Sequence, residues 1–526
     1  MKLNRCGITA FVFCLCLFFL SGQPSAVAQI SPPSSPTATA QGVFGEVTPW
    51  PLIPLHAVLL PDGRLMTYGT TAKGVQSAEF TYDVWDPTLG TGAGSHLAMP
   101  NTTGTDLFCS AQSVLANSGG VLLTGGDKKV GGVRNFSNAD VNIFNPQLAY
   151  GGNTNLGGAM QRANQSMTFA RWYPTIVPLP TGERLLLGGR QDKGPIAAIT
   201  PEVYTENVGW RTLDLATNDL AFGARAGNWY YPRGYQLPND ASKVLIIGNE
   251  GSLFYLEPAA NGGRGSITLL PQKIRGGAYQ FPTAKFAPGK LLSIRGNRNV
   301  VVVNLNGPTP TIAPTASINK LRLWSDATVL ADGKVFVDGG SEKGNQLIGV
   351  GYQAETWDPA TGQWTMSATA KRPRLYHSNA ILLPDATVLT GGGGAPGPSP
   401  ETNVEIYYPP YLYTDTPVPG TPALRPTINI YPTFLKMSDP AYLPYFYMTV
   451  GPNDQISRVT LLHTGSVTHT NNMEQSFQDL PVYQDGVNLR IDTPRNPNYT
   501  VPGYYMLFVI NNAGVPSVAK IVKIMR

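Results

Sequence analysis

The stretch SDATVLADGKVFVDGG, residues 325–340, contains the unit on which the whole fold is built. It joins two short runs of β-branched and aliphatic residues through a turn at Asp332 and Gly333, and it ends in a glycine pair. Short apolar runs bounded by Gly and Asp are typical of β-strands. The segments AETWDP (354–359) and GQW (362–364) follow as a third and a fourth strand. Four strands in this order predict one blade of a β-propeller.

The second strand of this unit recurs along the chain as a turn, a short aliphatic run and a glycine. Successive copies start 44 to 63 residues apart, which is at or above the spacing of about 40 to 50 residues expected for propeller blades with inserted loops. The seven copies are GRLMTYG (63–69), GVLLTGG (120–126), ERLLLGG (183–189), KVLIIGN (243–249), KLLSIRG (290–296), KVFVDGG (334–340) and TVLTGGG (387–393). Residues 44–410 are therefore predicted to form a seven-bladed kelch-type β-propeller.

Two further features complete the predicted architecture. The seventh blade lacks an outer strand, and GEVTPW (45–50) could supply it and close the ring. After a linker at 411–420, residues 421–526 change to longer alternating strands that predict an immunoglobulin-like β-sandwich. Since no amphipathic pattern of helical length is present, the fold class is all-β.

The N-terminus predicts export. Lys2 and Arg5 precede an apolar run, and small residues follow at 26–28, so residues 1–28 are interpreted as a secretory signal peptide. Residues 29–43 are rich in Pro, Ser and Thr and predict a flexible leader. Removing Lys2 and Arg5 lowers the formal charge from +5 to +3, which gives no reason to expect nucleic acid or a membrane as partner.

Cysteine usage isolates one thiol. Cys109 is the only cysteine of the predicted mature chain, because the other three lie in the signal peptide. A lone thiol in an oxidising compartment is unusual. It acts either as a small buried hydrophobe or in a covalent or metal-binding role.

The predicted propeller brings distant residues together, because the first strand of every blade lines the central channel. Cys109 opens that strand in blade two, Tyr173 in blade three, and the adjacent Tyr376 and His377 in blade seven. These residues are candidates for one cluster at one end of the axis, with His56 of blade one nearby. A second imidazole would come from HTGSVTHTNN (463–472), which contains two histidines. Nitrogen and phenol oxygen donors favour Cu(II).

Five segments resemble one known family in their order along the chain. DLFCS (106–110), RWYPT (171–175), RLYHS (374–378), VTHTNN (467–472) and GYYMLFVINNAGVPS (503–517) are similar to the copper radical oxidases, the galactose oxidase and glyoxal oxidase family. RWYPT favours the glyoxal oxidase branch. So does GGRQDKG (188–194), which has Arg190 and Gln191 where galactose oxidase has a tryptophan.

The resemblance implies a complete redox centre. Copper is expected to be held by Tyr173, His377 and His469, with Tyr376 as axial ligand and catalytic base. Cys109 is expected to form a thioether with Tyr173, whose radical is the second redox group. The resemblance further implies that Phe108 lines the substrate pocket and that Arg171 and Trp172 support the ligands. His56, His96 and His463 are interpreted as non-ligands.

The predicted function is a secreted, monomeric copper-dependent oxidase. It would oxidise small aldehydes, as hydrates, or primary alcohols with O2 and release H2O2. Two alternatives remain. One is a galactose-oxidase-like enzyme acting on carbohydrate alcohols, and the other is a non-catalytic glycan- or wall-binding propeller.

Overall fold

A computed structural model describes residues 32–148, 157–277, 279–437 and 444–526. The predicted signal peptide at 1–28 and the first residues of the predicted leader lie outside these ranges. The described chain consists mainly of short β-strands, and its helices are single turns of three or four residues. Among these residues, no helix is long and apolar enough to span a membrane.

Seven sheets form the propeller, and in the first six blades the strands follow the chain from the axis outwards. Blade one contains His56–Leu59, Leu65–Tyr68, Thr81–Trp85 and His96–Pro100. Blade two contains Ala111–Val114, Val121–Thr124, Val141–Asn145 and Ala159–Arg162. Blade three contains Trp172–Pro178, Arg184–Arg190, Glu202–Thr205 and Gly209–Thr212.

The next three blades repeat this order. Blade four contains Arg233–Gln236, Val244–Ile247, Ser252–Glu257 and Ser266–Lys273. Blade five contains Thr283–Ala287, Lys290–Ile294, Val300–Asn304 and Thr311–Pro314. Blade six contains Leu323–Val329, Val335–Ser341, Gln353–Asp358 and Gln363–Thr369. The aliphatic runs of the sequence repeat are the second strands, which are almost entirely buried between neighbouring blades.

Blade seven closes the ring with residues from the N-terminal end of the propeller. Its inner strands are Ser378–Leu382, Val388–Gly392 and Asn403–Tyr408. The outer position is taken by Val43–Phe44 and Thr48–Pro49, which both pair with Asn403–Tyr408. The prediction that the GEVTPW segment completes this blade is confirmed, and so is the all-β fold class.

Additions to the blades are small. A hairpin of Asp127–Val130 and Val133–Ser137 extends from blade two. The α-helical turns are Ala38–Gln41, Asp219–Phe222 and Ala260–Gly263. The 3-10 turns are Pro87–Leu89, Ala93–Ser95, Asp214–Ala216, Arg225–Gly227, Gly296–Arg298 and Pro410–Leu412.

The described part of the predicted flexible leader is ordered. Ala38 is fully buried, and the Ser35 N–H donates to the Gly420 carbonyl. The Tyr413 hydroxyl donates to the Pro33 carbonyl, and Tyr413–Thr414 pairs with Thr421–Pro422. Residues 32–43 therefore differ from the expectation of flexibility, because their backbone groups pair with the linker and with blade seven. Composition alone did not reveal these partners.

The C-terminal unit is a sandwich of two sheets. One sheet contains Ile428–Ile430, Tyr445–Val450, Asn488–Asp492 and Val482–Asp485. The other contains Phe434–Lys436, Lys520–Met525, Gly503–Asn511, Ile456–His463 and Phe477–Leu480. Between the last two strands, residues 464–476 leave the sandwich as a central loop. Its strands Ser466–Thr468 and Asn471–Asn472 extend the sheet of blade one, because Ser466–Thr468 pairs with His56–Leu59. The sandwich thus reaches into the propeller axis, as predicted.

Candidate metal centre

Three potential metal ligands from three parts of the fold meet on the propeller axis. The Cys109 sulfur lies 3.6 Å from His469 Nε2 and 3.9 Å from His377 Nε2. The ligand atoms of all three residues lie within 4.8 Å of one another, and all three side chains are buried. Blade two, blade seven and the central loop each supply one of them.

Two tyrosines complete the cluster. The hydroxyls of Tyr173 and Tyr376 are hydrogen-bonded at 2.6 Å. The Tyr376 ring stacks on His377 with 3.7 Å between centroids, and the Tyr173 ring lies edge-on to His469 at 5.2 Å. Burial raises the pKa of the Cys109 thiol, and the Tyr173 side chain lies close enough to oppose this larger effect by lowering that pKa. The structure therefore brings together all five residues that the sequence singled out.

The backbone of this cluster is strained. Cys109, Tyr173, His377 and His469 have φ angles of 59°, 65°, 71° and 49°. Non-glycine residues rarely adopt this left-handed region, and each instance costs about 1–3 kcal/mol unless the surroundings impose it. Part of that support is the hydrogen bond from the Tyr173 N–H to the Cys109 carbonyl, which links blades two and three at 2.9 Å. Strain of this kind at converging polar side chains is typical of a functional site.

Both histidines present a bare Nε2 to the cluster. His377 Nδ1 donates to the Gly394 carbonyl at 2.6 Å, so its proton is on Nδ1. His469 Nδ1 lies 2.6 Å from Thr468 Oγ1, which itself donates to the Leu55 carbonyl. Thr468 must therefore accept from His469 Nδ1. Burial lowers the pKa of His377 to about 3 and that of His469 well below its usual value, so both rings stay neutral at physiological pH.

The donor set fits copper. Two neutral imidazoles and two phenols offer the nitrogen and oxygen atoms that suit Cu(II). Cysteine with two histidines alone would equally suit zinc or a blue-copper centre. The Tyr173–Tyr376 pair is what separates this site from those classes. Because burial raises the pKa of both phenols, copper would have to displace a proton from each tyrosine that binds it as a phenolate.

The residues predicted to surround the ligands take different positions. Phe108 is almost fully buried and packs edge-on to His377 at 5.3 Å, so it supports a histidine rather than lining an open pocket. Trp172 packs on Tyr173 at 4.2 Å. Arg171 is fully buried and paired with Glu202 at 2.8 Å, which clamps the strands of blade three behind Tyr173.

The remaining histidines have structural partners. His56 stacks on Tyr68 at 4.3 Å, its Nδ1 bonds Gln112, and its ring centroid lies 5.9 Å from that of His469. His96 Nδ1 bonds Asp83 at 2.8 Å. His463 lies outside the cluster, donates to the Thr464 carbonyl and packs on a tyrosine of the sandwich.

Sequence reasoning missed an aromatic wall beside Tyr173. Tyr230 packs on the Tyr173 ring at 4.4 Å, and Trp229 lies at 5.8 Å. Trp324 contacts Tyr376 at 4.5 Å. The sequence contains a signal for this wall, since NWYYP (228–232) in blade four has the same Trp-Tyr pair as RWYPT in blade three, with the proline one position later. Arg190 lies over Trp172, with 4.2 Å between the guanidinium and the ring centroid.

Comparisons with known proteins agree with this geometry. Residues 425–524 match the family model described as the galactose oxidase-like, Early set domain. A galactose oxidase of Gibberella zeae is 26% identical over 549 residues, covering 96% of this chain and 74% of the relative. A protein named aldehyde oxidase from Vitis pseudoreticulata is 24% identical, covering 80% of this chain and 82% of the relative.

A solved structure shares the complete fold. It is described as a fungal alcohol oxidase of the AA5 family in complex with copper. The TM-score is 0.75 at 22% identity, with 92% of this chain and 100% of that chain covered. The relatives and the donor set together define a copper-dependent oxidase. The resemblance of the chain to the copper radical oxidases, noted from its sequence, is confirmed by these relatives.

Proposed function

We propose that the protein oxidises small aldehydes, as their hydrates, or primary alcohols by two electrons, with O2 as acceptor and H2O2 as product. The observation that carries this proposal is the meeting of the lone Cys109 with Tyr173 beside Tyr376, His377 and His469. A site that only binds copper does not need a buried thiol in contact with a phenol. A site that must accept two electrons at a single Cu(II) needs a second redox group, and a phenol joined to a thiol can supply it.

The second electron acceptor is proposed to be a Cys109–Tyr173 thioether. Its formation joins the sulfur to the Tyr173 ring and removes one hydrogen from each partner. Dioxygen takes up these two hydrogens. The link would account for the presence of the only thiol of the predicted mature chain at this position.

The chain supplies binding and proton transfer around the metal. Copper, held by Tyr173, Tyr376, His377 and His469, would supply a one-electron acceptor and a Lewis acid for the substrate oxygen. Tyr376, the half-buried phenol of the pair, is placed to take the substrate hydroxyl proton. Oxidised Tyr173 then takes the hydrogen atom from the substrate carbon. Two electrons and two protons thus leave the substrate and reach O2.

The wall beside Tyr173 favours aldehydes over galactose. Where the galactose oxidase resemblance leads us to expect a tryptophan, the chain has Arg190, and Trp172 and Tyr230 cover the Tyr173 ring instead. A hexose bound here would therefore contact a different surface from the one that galactose oxidase is expected to offer. Relatives named aldehyde oxidases support the same choice. Oxidation of carbohydrate alcohols remains the second candidate, because a relative named galactose oxidase covers nearly the whole chain.

The setting of this activity is also proposed. Lys2, Arg5 and the apolar run that follows support secretion by way of a cleaved signal peptide. The partners would be a small substrate and O2, and the protein would act as a monomer.

Peptide mass mapping of protein matured with copper and O2 tests the proposal. The expected result is a single species containing the Cys109 and Tyr173 peptides, lighter by two hydrogens than their sum. A Cys109→Ser variant should give separate peptides and lose peroxide release on every aldehyde and alcohol tested. Separate peptides in copper-loaded wild-type protein would reject the radical mechanism and favour a binding propeller.

A further inference from the structure

Asp326 lies at the junction of the elements that carry the two histidines. It is on the first strand of blade six, beside blade seven and the central loop, and its side chain is 2% exposed. Its carboxylate contacts both blade seven and the central loop. The Ser378 hydroxyl of blade seven donates to Asp326 Oδ2 at 2.9 Å. Asp326 Oδ1 has no hydrogen-bond partner among the described residues, and the backbone N–H of Thr470 in the central loop stabilises the charge of this carboxylate.

Ser378 and Thr470 are the residues that directly follow the histidines. Ser378 follows His377, and Thr470 follows His469. The rings of His377 and His469 are nearly perpendicular, with centroids 4.6 Å apart. Asp326 therefore fixes the spacing between two segments that are far apart in sequence and must hold their rings in one geometry.

The backbone of the central loop requires such support. His469 and Thr470 are consecutive left-handed residues, with φ angles of 49° and 62°. Conformations of this kind persist only where the surroundings impose them. Arg233 of blade four holds the other side of Thr470 by donating to its Oγ1 at 2.8 Å. On the backbone side, the Thr470 N–H interacts with the Asp326 carboxylate.

We propose that Asp326 is the positioning residue that sets the relative geometry of His377 and His469, and hence copper affinity, through Ser378 and Thr470. The proposal rests on the proposed copper site but adds a determinant outside the ligands. Groups hydrogen-bonded to metal ligands commonly change metal affinity by about 10- to 100-fold when they are mutated, and Asp326 acts one residue further away, through the neighbours of the ligands.

Asp338 provides a matched control in the same sheet. It is directly opposite Asp326 on the second strand of blade six, and it is also 2% exposed. Its carboxylate accepts from Thr390 of blade seven. It therefore joins the same two blades as Asp326 but contacts neither residue that follows a histidine. Loss of a buried carboxylate between blades six and seven is common to both substitutions, whereas loss of histidine support is specific to Asp326.

The test measures Cu(II) binding to copper-free protein by competition with a chelator, together with the electron paramagnetic resonance spectrum of the bound Cu(II). Asp326→Ala should weaken binding by about 10- to 100-fold and alter the spectrum. Asp326→Asn should restore most of the affinity, because the amide oxygen can accept from Ser378 and Thr470. Asp338→Ala, the matched loss of a buried carboxylate, should stay within about twofold of wild type and keep its spectrum.

A double-mutant cycle covers the case in which Asp326→Ala does not fold. The losses of affinity caused by Ser378→Ala and Asp326→Leu should then be non-additive, because either change alone removes the Ser378–Asp326 hydrogen bond. Wild-type affinity and spectrum in Asp326→Ala, additive losses in the cycle, or equal losses in the Asp326 and Asp338 variants would overturn the proposal. Wild-type protein that failed to bind copper would instead overturn the proposed function.

Discussion

Tyr376 is the residue on which the proposed proton transfer depends, and its hydroxyl can be removed without changing its packing. The ring contacts His377 and Trp324, whereas the hydroxyl bonds Tyr173 at 2.6 Å. In Tyr376→Phe the proposed base is lost while both imidazoles remain. We expect kcat for peroxide release to fall by about 10²- to 10⁴-fold, as is typical for removal of a general base. Steady-state assays at saturating substrate measure this loss.

Copper content and thermal unfolding serve as controls for Tyr376→Phe. The variant should still bind copper through Tyr173, His377 and His469, and it should unfold near the wild-type temperature because its ring contacts are unchanged. A copper-loaded variant with a kcat close to that of wild type would show that Tyr376 is not the base.

The proposed radical on Tyr173 is covered by Tyr230, and this cover can be tested separately from catalysis. The two rings lie 4.4 Å apart at an interplanar angle of 33°. An aromatic pair contributes about 0.5–1.5 kcal/mol beyond its buried area. Because Leu would cover less of the Tyr173 ring, Tyr230→Leu should expose it to reductants and shorten the lifetime of the oxidised enzyme several-fold, measured as decay of the radical absorbance.

Tyr279→Leu is the matched control for the Tyr230 variant. Tyr279 packs on Tyr230 and Trp324, at 4.6 and 5.6 Å, and has no ring contact with Tyr173 among the described residues. Its variant should keep the wild-type lifetime. Equal shortening in both variants would mean that general loosening of the aromatic wall, and not cover of Tyr173, controls radical decay.

At the scale of elements, each of three blades contains a buried arginine–glutamate pair behind the site. The pairs are Arg171–Glu202, Arg322–Glu355 and Arg374–Glu405, with N–O distances of 2.8, 2.9 and 3.1 Å. In each, the arginine also donates to carbonyls of its own blade. Each arginine precedes an aromatic residue of the cluster by two positions: Tyr173, Trp324 or Tyr376. Each arginine–glutamate pair therefore fixes the start of the first strand in its blade.

Breaking one of these pairs on one side should be strongly destabilising. Glu355→Gln keeps the shape of the side chain but leaves Arg322 buried without a counter-charge. We expect the free energy of unfolding to fall by about 3–5 kcal/mol, measured by urea denaturation. Replacing both partners, as Arg322→Met with Glu355→Gln, should cost less than the single change. A single variant as stable as wild type would show that water reaches Arg322.

The sequence predicted the blades well because each one has its own local signal. The second strand must be apolar to lie buried between neighbours, and its glycine end is where the chain turns tightly. Gly339, for example, has a φ of 65°, and a Cβ there would lie 2.6 Å from the Arg374 carbonyl. These local requirements produce a turn, an aliphatic run and a glycine in each blade, and this pattern recurs at a spacing that can be recognised in the sequence.

The candidate site was predictable only where the fold aligns residues by position. Cys109, Tyr173 and His377 all occur at the start of a first strand, so the blade repeat alone brings them together. Tyr230 was missed because blade four has three aromatic residues in a row and only packing decides which one meets Tyr173. Asp326 was missed because its role depends on side-chain partners in blade seven and the central loop.

At the scale of the whole molecule, the central loop makes the propeller and the sandwich one functional unit. It carries His469 into the axis and extends the sheet of blade one. Near its end, Glu474 forms hydrogen bonds with blade two. Glu474 Oε1 accepts from the Ser113 hydroxyl at 2.6 Å and from the Val114 N–H at 2.9 Å, while Oε2 has no partner among the described residues. This buried carboxyl should make the stability of the assembly depend on pH.

The direction of that dependence follows from the burial of Glu474. Burial raises its pKa from 4.5 to about 7 despite the nearby Arg184, so the folded protein holds this proton more tightly than the unfolded chain. Its contribution to stability is present below pH 4.5 and is lost as the pH rises through 7. Because Glu474→Gln cannot titrate, the variant should gain on wild type by on the order of 2 kcal/mol between pH 5 and pH 8. Urea denaturation at both pH values, with the exposed Glu46→Gln as control, measures this change. A constant difference between wild type and Glu474→Gln would show that the carboxyl is solvated in solution, and that the junction of the central loop with blade two is open to water.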